Sequence, residues 1–488
     1  MILDPLAPRF IMEKNRALDA VFNLRSVAVV GVARGEDFNT GRLFLDHIID
    51  YGFKGRIYPV NPKGGEVRGL KIHPSLKEIP GRVDYVICCI PAPLVPQLIK
   101  DSAAKGVKAV GIFTSGFSEL GTRQGRERED EIKRLAHATG VRVIGPNCLG
   151  IHSPKAGFSY VPDFPREIGD VSFLCQSGGH STYLVRAAAA RGIRFSKVIS
   201  YGNGTDIDET DLLKYFEQDP ETKMIAAYIE GVKDGRGFYR TLEETALHKP
   251  VVILKGGRTA AGSAVAASHT GSLASSIGVW RDALRQAGAI SVGSLDEMAD
   301  MLVTLSYLPR LGGRRVAMVG GGGGAGVLAT DDWAENGFVL PRLPEQVRQA
   351  WKAAVGNEAG TILSNPLDIP TIGSGQGSVY DALAELHAFD GIDLLVFHVP
   401  VRGVMISVSF AAAVFEDESQ TILKVHQEAG KPVAMIVHCQ ANADGWNLSA
   451  KQVKRYYEAG LPVYYSVASA ARAIDRFLWY TANRRMPG

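Results

Sequence analysis

The sequence predicts an α/β protein built from three consecutive doubly wound sheets, and three observations carry that reading. Short runs that are apolar throughout and rich in β-branched residues recur along the chain. Each ends in a small or turn residue, and each is followed by an amphipathic stretch. Strands covered on both faces read as continuous apolar runs, and their alternation with helical patterns marks βαβ units and a parallel sheet.

The first series runs through "SVAVVG" from Ser26, "GRIYPVN" from Gly55, "VDYVICCIP" from Val83, "VKAVGIF" from Val107 and "VRVIGPN" from Val141. The rhythm restarts with "GDVSFLCQSGG" at Gly169, then "FSKVISYGNG", "KMIAAYIEG" and "KPVVILKGG". It restarts again with "RRVAMVGGGGGAG" at Arg314, "IDLLVFHVP" at Ile392 and "KPVAMIVH" at Lys431. Domains over residues 1–150, 151–309 and 310–488 follow. With 488 residues the chain exceeds what a single core accommodates, which fits several domains of roughly 100 to 200 residues each. No low-complexity tract or charge block separates them.

Bulk composition removes several function classes. The 54 basic residues against 51 acidic ones leave a net charge of +3, too little field for nucleic acid or anionic lipid. Hydrophobic residues make up 46% and the mean hydropathy is +0.01, as in an ordinary soluble protein. The N-terminal segment carries acids and prolines and has no secretory h-region, and no apolar run approaches the roughly 20 residues that span a bilayer. The five cysteines (Cys88, Cys89, Cys148, Cys175, Cys439) form no CxxC pair, which points to a reducing cytoplasm with neither a disulfide framework nor a metal site.

Ligands of open parallel sheets sit beyond the carboxyl ends of the strands. In the first series those ends are the turn Gly31–Val32–Ala33, Asn61 with Lys63, Pro91 with Ala92, Thr114–Ser115–Gly116, and the "GPNCLG" segment with Asn147 and Cys148. Any such sheet needs turn residues there; it is their combination that suggests a nucleotide-shaped ligand. Cys148 reads either as a nucleophile or, unaccompanied, as packing. In the second series "QSGG" opens a helical pattern, so Ser177, Gly178 and Gly179 can receive an anion on amide groups and a hydroxyl. Glu230 ends another strand. In the third, Gly321, Gly323 and Gly326 match GxGxxG, the signature of a dinucleotide fold and a dehydrogenase, but no clear acidic partner follows some 20 residues on.

One histidine stands apart. In "AASHTGSLASS", Ala266 to Ser276, His269 lies among the smallest residues with no cysteine, acid or second histidine beside it. A lone histidine is commonly a surface or core residue. Here the lack of bulk leaves room for a group larger than imidazole, and imidazole is a good nucleophile at neutral pH. A phosphoryl group on its nitrogen needs anion stabilisation from helix N-terminal amides and a carboxylate to fix the ring. The QSGG turn and Glu230 can provide both.

"SVAVVG", "YPVNPK", "GPNCLGI", "QSGG", "YGNGTDID", "YIEGVKDGRGF", "PVVILKGGRTAAG", "SHTGSLA" and "VGGGGGAGVLATD…NPLDI" occur in this order. In that arrangement the chain, from about Ala20 to its C-terminal region, resembles the NDP-forming acyl-CoA synthetases, which include ADP-forming acetate–CoA ligase and are related to succinyl-CoA ligase. The extent of the resemblance matches the α subunit and implies a Rossmann-like CoA-binding domain followed by two flavodoxin-like ligase domains. It further implies a reaction in which acyl-CoA and phosphate give an acyl phosphate and CoA, the acyl phosphate phosphorylates His269, and ADP takes the phosphoryl group. Glu230 would support His269, and Ser177, Gly178 and Gly179 would hold phosphate. Gly31, Val32, Ala33, Lys63, Pro91, Thr114, Ser115, Gly116 and Asn147 would bind CoA, while Gly324 to Gly326 would line a subunit or phosphate-transfer region. The nucleotide, ADP or ATP with Mg²⁺, would sit mainly on a separate ATP-grasp β subunit, giving a heterotetramer that acts on a small carboxylic acid. Relatives commonly read "SQSGALG" and "SHTGALAGSD", so His180 and Ser275 are departures that bear on the choice of acid. The competing readings are a CoA-binding regulatory protein on the same scaffold and the NAD-dependent dehydrogenase.

Overall fold

A computed structural model describes residues 7–35, 37–263, 277–355, 363–368, 377–399, 408–428, 430–438 and 443–484. The chain forms two compact units. One comprises the described residues up to Arg186 together with Arg194–Met298, the other Ala187–Ile193 with Ala299–Arg484.

The first unit contains two sheets. The leading one is assembled from α1 (Ala7–Phe22), β1 (Ser26–Val30), α2 (Thr40–Tyr51), β2 (Arg56–Val60), a hairpin β3 (Gly65–Val67) and β4 (Leu70–Ile72), β5 (Tyr85–Cys88), α3 (Val95–Lys105), β6 (Ala109–Ile112), α4 (Arg123–Thr139) and β7 (Arg142–Ile144). Its strand order is β2-β1-β5-β6-β7, and every pairing is parallel. The continuous apolar runs are explained by burial on both faces: β1, β5, β6 and β7 are buried at every position.

The following sheet uses β8 (Gly150–His152), β9 (Val171–Cys175), α5 (Gly178–Ala189), β10 (Phe195–Ser200), α6 (Glu209–Gln218), β11 (Met224–Ile229), α7 (Gly235–His248), β12 (Val251–Lys255), α8 (Ile277–Gln286), β13 (Ile290–Val292) and α9 (Leu295–Tyr307). The order is β13-β12-β11-β9-β10-β8, parallel except for β8, which pairs antiparallel with β10 at the edge. That edge strand leads directly out of the leading sheet. Asp206, after β10, accepts from the Val143 amide (2.8 Å) and pairs with Arg142 (3.2 Å). Thr205 donates its amide to the Gly145 carbonyl (3.1 Å), so the carboxyl ends of β7 and β10 meet.

The second unit holds β14 (Val316–Gly320), α10 (Gly323–Glu335), α11 (Glu345–Val355), α12 (Gly377–Ala388), β15 (Leu394–Val399), α13 (Val408–Glu428), β16 (Val433–Val437), α14 (Ala443–Glu458), β17 (Val463–Tyr464) and α15 (Val467–Asn483). Its sheet, β14-β15-β16-β17, is parallel and packs Phe397, Met435 and Val463 against Trp351, Leu383 and Tyr456. Among the described residues no helix is long and apolar enough to cross a membrane. The α/β class with several parallel sheets is as the apolar runs predict.

Candidate functional site

The carboxyl edge of the leading sheet gathers the turns singled out in the sequence. Because the strands are adjacent and parallel, Lys63 after β2, Gly31 after β1, Pro91 after β5, Thr114 to Gly116 after β6 and Asn147 after β7 line one edge in that order. Gly31 adopts φ +99°, and a Cβ there would lie 2.6 Å from the Cys89 carbonyl oxygen, so only glycine lets the chain turn this close to β5. Asn39, the N-cap of α2, holds the turn from the other side. Its side chain accepts from the Ala33 and Arg42 amides (3.1 and 2.9 Å) and donates to the Gly31 carbonyl (2.8 Å).

Neighbouring strand ends are tied together. Asn61 donates to the Val32 carbonyl (2.9 Å), Thr114 Oγ1 to the Ile90 carbonyl (2.7 Å), and the Asn147 amide to the Thr114 carbonyl (3.2 Å). Lys63 is exposed beside them. Cys148 is buried with its Sγ directed at the Ile112 and Ile144 carbonyls (3.5 and 3.4 Å), and burial pushes its thiol up to about 12. A thiol so far from ionisation is packing, which resolves the alternative left open by its sequence context.

At the carboxyl edge of the next sheet, β9 leads through Gln176 and Ser177 into α5. The Ser177 hydroxyl accepts from the His180 amide (3.3 Å) and caps the helix, while Gly179 is exposed at its first turn. A Cβ on Gly178 would lie 2.7 Å from the Leu149 side chain, so this glycine seats the helix start against the "GPNCLG" segment. Gln176 is the residue that assembles the site. Its Oε1 accepts from both the Glu230 and Gly231 amides, the latter at 3.2 Å, while its own amide donates to the Tyr228 carbonyl (3.2 Å). The end of β11, and with it Glu230, is thereby fastened beside the N-terminus of α5.

Tyr228 donates its hydroxyl to Glu230 Oε1 (3.2 Å), and its ring lies 4.5 Å from that of His180. Lys255 donates to the Glu230 and Gly256 carbonyls; burial lowers its affinity for protons and Glu230 raises it. The helix start, Tyr228 and the ends of β12 and β13 surround a cavity of about 960 Å³. Amide donors, a capped helix start and an adjacent carboxylate suit this place to an anion being transferred to a nucleophile. His269 and Ser275 lie outside the described residues.

In the second unit, Gly320, Gly321 and Gly322 all have positive φ and open α10. The adjacent β15 carries His398 as its penultimate residue, whose Nδ1 would sit 2.5 Å from a Cβ on Gly321. The GxGxxG turn thus packs against a histidine side chain on the neighbouring strand. Gln176, Tyr228 and Lys255 escaped the sequence reading; the one signal for them is their position at strand ends beside residues already singled out.

A family model described as "CoA binding domain" matches residues 25–154, and one described as "Succinyl-CoA ligase like flavodoxin domain" matches residues 168–305. The acetate–CoA ligase [ADP-forming] II subunit alpha of Pyrococcus furiosus is 35% identical over 464 residues, covering 94% of this chain and 97% of that protein. The acetate–CoA ligase [ADP-forming] of Methanocaldococcus jannaschii is 36% identical, with 71% of this chain matching 48% of its length. Among solved structures, the dinucleotide forming acetyl-coenzyme A synthetase 1 of Ca. Korarchaeum cryptofilum, in complex with phosphate and ADP, superposes with a TM-score of 0.78 at 32% identity. It covers 96% of this chain and 97% of that one.

Proposed function

The chain belongs to the family of ADP-forming acetate–CoA ligases, as the counterpart of their α subunits, and from that premise we propose that it interconverts acyl-CoA, ADP and phosphate with a carboxylic acid, CoA and ATP through a phosphohistidine at His269. CoA lies along the carboxyl edge of the leading sheet, at Gly31, Val32, Ala33, Lys63, Pro91, Thr114, Ser115, Gly116 and Asn147. A phosphate oxygen attacks the thioester carbonyl, the C–S bond breaks, and the thiolate leaves and takes up a proton. A His269 nitrogen then attacks phosphorus, the bond between phosphorus and the acyl oxygen breaks, and the carboxylate departs. Last, the phosphoryl group passes from nitrogen to ADP.

Ser177, Gly178 and Gly179 hold the phosphate through amides and the positive end of α5. Glu230 accepts a hydrogen bond from the imidazole, fixing its tautomer and stabilising the charge that develops on the ring. The observation that carries this reading is the Gln176 clamp, which fastens the Glu230 amide beside the helix start. ADP and Mg²⁺ belong mainly to an ATP-grasp β subunit, assembled with this chain as a heterotetramer in the cytoplasm, and Gly324 to Gly326 line the transfer region. Domains over residues 1–150, 151–309 and 310–488 divide the labour between CoA binding and two ligase modules.

The test is chemical. Incubation with acyl-CoA and phosphate, or with ATP and the β subunit, is expected to give an acid-labile, base-stable phosphorylation that mass spectrometry locates on His269. His269→Ala is expected to lose both label and turnover. A label elsewhere, or CoA binding without any label, would leave the regulatory scaffold as the better reading.

A further inference from the structure

The cavity beside the α5 start has a wall that the phosphoryl chemistry does not use. His180 lies on it together with Tyr183, Tyr228, Leu254, Arg258 and Leu295. The His180 ring packs on Tyr228, with centroids 4.5 Å apart at 57°, and its Nδ1 is buried with no hydrogen-bond partner among the described residues. A buried N–H without an acceptor is rarer and costlier than a buried acceptor without a donor. The ring proton is therefore assigned to Nε2, the nitrogen left to reach the cavity. Three other side chains around that space already have partners: Tyr183 donates to Asp296 (2.6 Å), Arg258 to the Gly293 carbonyl (2.6 Å), and Tyr228 to Glu230.

We propose that His180 is a specificity-determining residue whose Nε2–H donates to an oxygen on the chain of the acyl group, so that this protein takes carboxylic acids bearing a second oxygen function in preference to unsubstituted short acids. The inference rests on the ligase reading above and deepens it. An acyl phosphate with its phosphoryl group at the α5 start has its chain directed along the neighbouring wall, because His180 follows Gly179 in the same helical turn. The volume of about 960 Å³ exceeds what an acetyl group fills. Aromatic and aliphatic surfaces, Tyr183, Tyr228, Leu254 and Leu295, accommodate the methylenes. An acid without the second oxygen displaces water from Nε2–H and returns nothing, and a donor left unpaired discriminates by roughly 10- to 100-fold.

The experiment uses the chain co-purified with its ATP-grasp subunit. Specificity constants are measured for straight-chain acids of matched length: unsubstituted, hydroxy, oxo and dicarboxylic. The wild type is expected to favour at least one oxygen-bearing acid by about 10- to 100-fold over its unsubstituted match. His180→Ala is expected to bring that ratio to within about threefold of one, and His180→Gln, whose amide nitrogen can reach the Nε2 position, to restore part of it. Which acid shows the preference identifies the oxygen as hydroxyl, carbonyl or carboxylate. The proposal is overturned by a wild type with no such preference, by a ratio that survives in His180→Ala, or by a variant that loses every acid by one common factor. Phosphoenzyme formed from ATP by the wild-type assembly is the control. If it forms while the preference is absent, the inference about His180 fails and the ligase reading stands. If neither phosphoenzyme nor CoA ester forms with any acid, both fail.

Discussion

His152 shows how a single buried side chain sets the response of the protein to acid. It is 1% exposed, its ring meets Tyr51 and Phe164 edge-on at 5.7 and 5.1 Å, and its Nδ1 has no partner among the described residues. Burial pushes its pKa down to about 3 from an ordinary 6.5. In the unfolded chain it protonates near 6.5, so below that pH the unfolded state binds the extra proton and stability falls until the folded group titrates near 3. At pH 5 the loss is about 2 kcal/mol. His152→Phe, which keeps an aromatic ring against Tyr51 and Phe164, is expected to remove that part of the decline between pH 7 and pH 5 in urea unfolding; an unchanged pH slope would show that this ring is not the group responsible. The same scale explains what the sequence conceals. Glu230 was legible because it ends a strand beside a glycine. Gln176 was not, because its partners lie 54 and 55 residues away and only the pairing of β9 with β11 brings them together.

At the scale of elements, strands of four or more residues were legible, since burial on both faces writes a continuous apolar run. The run at Val141 gave the shorter β7 as well, and its boundaries narrow to Arg142–Ile144 in the structure. The strands not foreseen are β3, β4, β8, β13 and β17, of two or three residues each, too short to carry a period. The antiparallel sense of β8 was equally invisible, because orientation depends on where the chain goes after Ile144 and not on the three residues themselves. The turn after β1 offers a test of an element. Gly31 combines φ +99° with a carbonyl oxygen 2.6 Å from any added Cβ. Gly31→Ala faces a left-handed penalty of about 1–2 kcal/mol before the clash with β5 is counted. It is expected to lower the melting temperature by several degrees and to weaken CoA binding measured by calorimetry. Loss of stability with intact CoA affinity would mean the turn shapes the sheet without touching the ligand.

For the whole molecule, a fully buried ion pair joins the two sheets of the first unit. Arg142 and Asp206 are 1% and 0% exposed, and Asp206 also accepts from the Val143 amide at 2.8 Å. Replacing a complete buried pair by apolar residues is often harmless, whereas removing one member strands the other charge at a cost of about 3–5 kcal/mol. Asp206→Ala does the latter and also orphans a backbone donor, a loss that is large against a typical stability of about 5–15 kcal/mol. The consequence is expected to be regional. The sheet of β14 to β17 has its own core around Trp351, Phe397 and Tyr456 and belongs to the other compact unit. In hydrogen exchange, Asp206→Ala is therefore expected to cost β6, β7, β9 and β10 their protection while β14, β15 and β16 keep theirs. Asp206→Asn, which retains an acceptor for the Val143 amide, is expected to fall between the variant and the wild type. If protection fell equally in all three sheets, the two units would unfold as one cooperative block, and the pair would be holding the entire chain rather than the contact between the first two sheets.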